Sequence, residues 1–391
     1  MYLINSILLS FKRELREVVN NRLYRAVMFI IPSVMILFFT MMFYSGEITN
    51  LPIVVVDKSR SPMSRQLLEM TDATRGVRVA FEVESIAEAE RLMLDGDVAA
   101  ILYIPDSFES DIYSGVVAKV ECYTLGTNIS AEGVISENIQ QVIMTFSAGI
   151  SLNKLQSMGV GYSEAMVEII PINIHSNIVA NPYLNYGYYL APLFMFMGVV
   201  ILTIVATTYA LGRELRYASA SEWLQTANGS LLAAVIGKLL PVTIVMSIIV
   251  QVILFVLIVV MGMECVGNYL ILTLGSVMFV IAYQSVAIFI VSLTSNLRLA
   301  LSLGGGYAVM AFTFSGLTFP VTAMFEWIQP ISKLFPLGYF SDIFIDQMML
   351  GVPIYYDISK LCAMAVFFIL PFVIWRRLSR VVTDKQYWER G

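Results

Sequence analysis

Apolar residues dominate a window at positions 26–44, give way to roughly 145 residues of mixed, soluble-looking chain, and then return in crowded windows at 190–211, 231–261, 269–293, 299–319 and 361–375. A helix rises about 1.5 Å per residue, so some 20 apolar residues cover a hydrocarbon core about 30 Å thick. The pattern predicts six membrane crossings with both termini on one side. The last window has 15 residues, but Lys360 and Arg376 at its ends can snorkel towards opposite interfaces and lengthen it. The third is long enough to tilt, or to kink at Pro241. Ahead of the first window, Ile4, Ile7, Leu8, Phe11, Leu15, Val18 and Val19 recur at spacings of three and four, with Lys12, Arg13, Arg16 and Glu17 between them. That period predicts an amphipathic helix along the membrane surface within residues 1–25. The charged leader is too long for a secretory signal and no A-x-A-like cleavage site follows, so residues 26–44 read as an uncleaved anchor and first transmembrane helix.

Between the first two windows the period changes. LPIVVVDKS from Leu51 is a β-branched run ending in a polar turn, and Met63, Leu67, Leu68 and Met70 then follow a helical spacing. VRVAFEV, a Glu-rich helix over 86–94, VAAILYIP and AKVECYTLG continue the alternation, which predicts a small α/β domain. Residues 131–161 read as a helical stalk returning the chain to the membrane. The fold class is an α-helical polytopic membrane protein of six transmembrane helices with an inserted extracytoplasmic α/β domain. Its divisions are 1–25, 26–44, 45–189, 190–375 for helices two to six, and a tail over 376–391.

Composition agrees with this class: 58% of residues are hydrophobic, 14% charged, and mean hydropathy is +0.76, so much apolar surface must face lipid. Residues 45–189 hold 8 Lys+Arg against 18 Asp+Glu, while the rest holds 16 against 11. No strongly basic domain exists, which argues against a nucleic acid partner. The cations settle orientation. Lys12, Arg13, Arg16, Arg22 and Arg25 precede the first span, Arg213 and Arg216 follow the second, Arg298 the fourth, and Arg376, Arg377 and Arg380 the sixth. Loop 262–268 has no Lys or Arg, and 321–357 has only Lys333. Lys and Arg are retained on the cytoplasmic side, so both termini are expected in the cytoplasm and the acidic domain outside.

Candidate chemistry is sparse. Cys122, Cys265 and Cys362 form no metal-spaced pair, and His175 has no Cys, Asp or Glu at ligand spacing. Asp57, Asp95 and Asp97 are read as strand-end and turn acids rather than a cation site. G-x-S-x-G, H-E-x-x-H and G-x-x-x-x-G-K-[ST] are all missing. No metal or cofactor is expected on this chain, and energy for any transport should come from elsewhere. Lys238 lies one or two turns inside the third span, Glu264 just past its outer end, and Gln284 is the most polar side chain at a span centre; each reads as an interface anchor or packing residue.

Two segments carry more. GRELRYASASEWLQTANGS, residues 212–230, is a short polar stretch of both charge signs between the second and third spans. It resembles the coupling-helix segment of type-2 ABC exporter permeases, R-E-x-x-x-G-T-x-E-x-L-L-x-T. Arg213, Glu214, Glu222, Leu224 and Thr226 match, Trp223 adds an anchor, Ala218 stands at the usual Gly and Asn228 at the usual Pro. FTFSGLTFPVTAMFEWIQPISKLFPLGYFSDIFIDQMMLG, residues 312–351, resembles the family's F-S-G-x-x-F-P segment and the re-entrant region after it, here 320–350. Gly316, Pro320, Pro330 and Pro336 interrupt any helix there, and such breaks at membrane depth occur only against protein or a cavity. The segment is expected to line an exit gate with Gly316, Phe319, Pro320, Trp327, Phe335 and Pro336.

An α/β domain after the first span also occurs in a subgroup of this family. The resemblance implies an exporter of hydrophobic or amphipathic cargo, built from this permease, a second copy or a paralogue, and ABC ATPase subunits that hold ATP-Mg, often with a periplasmic adaptor protein. A membrane receptor or assembly factor with an outer ligand-binding domain is the alternative, weakened by the shortness of every cytoplasmic segment. A secondary transporter is disfavoured by the lack of charges at the span centres.

Overall fold

The computed structural model describes residues 2–169, 180–181 and 185–388; His175 lies outside them. Two compact units emerge, one of Met1–Gly46 with Ile178–Gly391 and the other of Glu47–Asn177. The first begins with α1 (Tyr2–Asn20) and α2 (Arg22–Phe43). Asn21 between them caps α2, its side chain accepting from the Tyr24 amide at 3.1 Å.

The inserted unit runs β1 (Leu51–Asp57), α3 (Pro62–Asp72), β2 (Val77–Glu82), α4 (Ile86–Asp95), β3 (Ala100–Ile104), α5 (Phe108–Ser114), β4 (Glu121–Thr124), α6 (Ile129–Ser157) and α7 (Tyr162–Ile169). Sheet order is β2-β1-β3-β4, with β1 parallel to β2 and β3, and β4 antiparallel to β3. A central parallel strand is covered on both faces, which is why β1 is a continuous β-branched run. Ile53 and Val55 join a core with Leu67, Phe108 and Ile139, whereas Val54 and Val56 face Ala89 and Met93 of α4. In α6, Ile135, Ile139, Val142 and Phe146 recur at helical spacing and are buried. The stretch expected as a stalk therefore packs with α3 and α5 in one helical layer of a three-layer sandwich. Asp57 ends its strand by accepting from the Arg60 amide at 3.0 Å and the Ser64 hydroxyl at 2.7 Å.

The first unit resumes with α8 (Tyr186–Arg216), α9 (Ala220–Thr226), α10 (Leu231–Val260), α11 (Tyr269–Thr294) and α12 (Leu297–Thr313). It ends with α13 (Pro336–Phe344), a π turn at Ile345–Leu350, α14 (Tyr355–Val373) and α15 (Trp375–Thr383). Among the described residues, five helices, α2, α8, α10, α11 and α14, are long and apolar enough to cross a membrane. The window at 299–319 contributes a shorter helix than its composition suggests. α12 has 17 residues and stops at Thr313, because Ser315 turns back onto Phe312 and Gly316 takes φ +84°. At about 1.5 Å per residue it falls several ångströms short of a bilayer core.

α8 is the hub, packing on α2, α10, α11 and α12. Small residues allow it: a Cβ on Gly198 would fall 1.8 Å from the Met35 sulfur, and one on Gly304 of α12 would fall 2.5 Å from Ile204. Two buried glutamines find their partners across helices. Gln284 accepts from the Thr243 hydroxyl at 2.8 Å and donates to the Leu239 carbonyl at 3.2 Å, next to Pro241. Gln347 accepts from the Asn268 amide at 2.7 Å and donates to Asp357 at 2.6 Å, locking loop 262–268 to the π turn and α14. Lys360, expected to reach for the interface, instead pairs with Asp346 and Asp357. Arg377 of α15 donates to the Ser292 and Leu293 carbonyls at 2.8 and 2.7 Å, capping α11.

Candidate functional site

The polar segment at 212–230 is shaped by two left-handed breaks. α8 ends with Arg213 and Arg216 in its last turn, where cations suit the helix dipole. Ala218 then takes φ +54°, α9 follows, and Asn228 (φ +54°) with Gly229 (φ +79°) reverses the chain into α10, capped by Ser230. One side of α9 is buried through Ala220 and Trp223; Glu222 and Gln225 are exposed, and Leu224 and Thr226 half-buried. The Thr226 hydroxyl donates back to the Glu222 carbonyl at 2.8 Å.

The segment is laced to α1 at nearly every turn. Asn228 Nδ2 donates to Ser6 Oγ at 2.8 Å, and Trp223 Nε1 to Ser10 Oγ at 3.2 Å, while Ser10 donates to the Ala234 carbonyl at 2.9 Å. Arg13 grips Glu214 with two bonds of 2.7 and 3.0 Å, and Arg213 pairs with Glu17 at 2.6 Å. At the centre, Lys238 of α10 bridges Glu14 and Glu214, the latter at 2.6 Å, with its ammonium 5.3 Å from the Trp223 ring centroid. Tyr24 donates to Glu14 at 2.8 Å and Ser219 to Glu214 at 2.6 Å. Three acids and three bases thus meet with no net charge. Lys238 is 1% and Glu214 0% exposed, so each charge depends on its partners for the solvation it has lost. α1 approaches α10 closely enough that a Cβ on Gly237 would lie 2.4 Å from the Ile7 carbonyl.

These contacts divide the six residues singled out for coupling. Arg213, Glu214 and Trp223 face inward and hold α1, α8, α9 and α10 together; Glu222 and Thr226, with Leu224 between them, lie where a partner can touch them. Sequence reasoning did not single out Arg13, Glu14 or Glu17 as functional and read Lys238 as an anchor or packing residue. The available signal was the stripe Ser6, Ser10, Glu14 and Val18, small or polar at every fourth position of a helix whose Leu8, Leu15 and Val19 stay exposed.

The second region follows α12. Gly316 turns the chain, Pro320 precedes a short 3-10 turn at Val321–Ala323, and another helical turn spans Gln329–Ser332. Phe335 is 2% exposed, stacked on Phe314 with centroids 5.9 Å apart and tilted against Tyr307 at 5.0 Å, and Pro336 begins α13 beside it. Phe319 is exposed, and Trp327 is 73% exposed. A cavity of about 300 Å³ beneath this segment is lined by Gly316, Pro320, Ser332, Lys333, Tyr339 and Asp342. Gly316 and Pro320 therefore border a cavity, Phe335 and Pro336 belong to the core, and Phe319 and Trp327 form an outward apolar edge.

Residues 23–376 match the family described as ABC-2 family transporter protein. Among curated proteins, the chain is 22% identical over 337 residues to "Probable multidrug ABC transporter permease YbhR" of Escherichia coli strain K12, covering 85% of this chain and 86% of that protein. The protein of the same name from Escherichia coli O157:H7 matches equally.

Proposed function

The chain belongs to the ABC-2 transporter family, and we propose that it is the membrane-spanning permease subunit of an ATP-driven exporter for a hydrophobic or amphipathic cargo. The observation that carries this reading is the polar lacing of α1 onto α8, α9 and α10, which leaves one face of α9 free beside a helix of its own. A separate ABC ATPase, holding ATP-Mg, docks on Glu222, Leu224 and Thr226. Its closure moves α9 and α1 as one body, because Trp223 of α9 bonds Ser10 and the ion pairs that tie α1 to α8 and α10, the helices on either side of α9, are buried, so that their rupture would strand charges. That motion reaches α8, the hub of the membrane unit, and through α12 the segment from Gly316 to Pro336 that gates the exit.

Few helices are available to enclose a pathway, so two copies, or this chain with a paralogue, form it about a two-fold axis. α12 makes the sixth crossing despite its length, its ends extended by the chain that follows. Retention of Lys and Arg inside places both termini in the cytoplasm of a bacterial inner membrane and the α/β unit outside, where it meets a periplasmic adaptor protein. The printed name of the Escherichia coli relatives supports an apolar, drug-like cargo.

The test is co-purification with the cognate ATPase and measurement of ATP turnover. Glu222→Arg is expected to weaken association and stimulated turnover at least about tenfold, the effect of losing a well-placed interfacial contact. Glu222→Arg with association and turnover unchanged would remove α9 as the docking element.

A further inference from the structure

The inserted unit contains a groove of about 680 Å³ between α5, the chain entering β4 and the C-terminal half of α6. That size lies within the range of about 300–1,000 Å³ typical of small-molecule sites. Its floor is apolar, formed by Leu67 and by Phe108 and Phe146, whose rings stack 6.2 Å apart. One wall is the irregular run before β4, where Val117 is 82% exposed although it borders an apolar hollow.

Lys119 and Lys154 border the same groove. Neither makes a salt bridge or a side-chain hydrogen bond among the described residues. The unit's third lysine, Lys58, is by contrast held by the Glu84 carbonyl. Glu121, the acid lining the groove, accepts from the Tyr123 hydroxyl. The inserted unit carries 8 Lys+Arg against 18 Asp+Glu, so two ammonium groups without an ion-pair contact among the described residues, beside an apolar groove, run against the charge of their surroundings.

We infer that this groove binds a single-chain anionic amphiphile, its alkyl chain against Phe108 and Phe146 and its carboxylate or similar head at Lys119 and Lys154. A neutral apolar ligand would leave both lysines unused, and a cationic one would be repelled by them. The inference goes beyond the transport reading and does not rest on it.

The test uses the full-length protein in nanodiscs, with a dansyl-labelled undecanoic acid and the matching alcohol as probes and empty nanodiscs subtracted. Saturable blue-shifted emission with the acid is expected. Lys119→Gln with Lys154→Gln should weaken the acid by about tenfold while moving the alcohol little, since tenfold is the scale of one lost charge-assisted contact. Ser147 and Ser151 are exposed on α6 at the groove, so Ser147→Trp or Ser151→Trp plugs it without entering the core, and either should abolish binding of both probes. A diazirine fatty acid should label residues within 108–154. Labelling confined to the membrane helices, or acid binding equal to that of the alcohol and indifferent to both lysines, would overturn the inference.

Discussion

Ala218 holds a left-handed backbone at φ +54° where the resembling family has glycine. A side chain with Cβ pays about 1–2 kcal/mol for that conformation, so Ala218→Gly should raise the unfolding temperature of the purified chain and Ala218→Val should lower it, as read by thermal-shift fluorescence. Lys238 behaves in the opposite sense. Lys238→Met leaves Glu14 and Glu214 facing each other without their shared cation, a loss of about 3–5 kcal/mol. Adding Glu14→Gln should recover part of it, and a double-mutant cycle in thermal unfolding measures how much. Local sequence marks the stripe on α1 but not what it meets. Glu14 reads there as one acid in a basic leader, and its partner Lys238 lies 224 positions away, beyond the reach of any periodicity. Arg213 and Glu214 were legible as a motif, but not the direction in which they point.

Helices were more legible than their ends. Apolar windows located α2, α8, α10, α11 and α14 because lipid-facing and core-facing residues are both apolar there, so composition carries the signal. The same uniformity hid the end of α12, whose window ran on through Gly316 because the hydroxyls of Thr313 and Ser315 are too weakly polar to end an apolar window. α6 was read as a stalk since its mixed surface masks the buried row from Ile135 to Phe146. In the proposed gate, the family resemblance grouped Phe335 with Trp327, and burial separates them. Phe335→Ala should lower the unfolding temperature through a cavity costing about 3–5 kcal/mol, whereas Trp327→Ala should leave stability unchanged and reduce only efflux in transport assays. α1 shows three faces: an exposed apolar one with Leu8 and Leu15, a charged one with Lys12 and Arg16, and the laced stripe through Ser10 and Glu14. Gly237→Val should push the third off α10 and make α1 sensitive to protease.

Across the whole molecule, charge asymmetry was the most transferable signal, since it depends on counting rather than on contacts. It makes a direct prediction: in a background without Cys122, Cys265 and Cys362, cysteines at Glu264 and Lys333 should react with a membrane-impermeant maleimide in intact cells. A cysteine at Arg298 should react only after permeabilisation. The lacing of α1 also fixes an order of events during synthesis. Glu214, Trp223 and Lys238, which bind Arg13, Ser10 and Glu14, emerge 201, 213 and 224 residues after them, so at 5–20 residues per second the first helix waits roughly 10–40 s before any of these three exists. Its exposed apolar face gives it somewhere to wait, resting in the bilayer surface while the ribosome makes the rest. A chain arrested before Glu214 should therefore keep α1 bound to the membrane, and it should dock only on release. The seam proposed to carry force therefore cannot close until the chain has been made through Lys238 of α10.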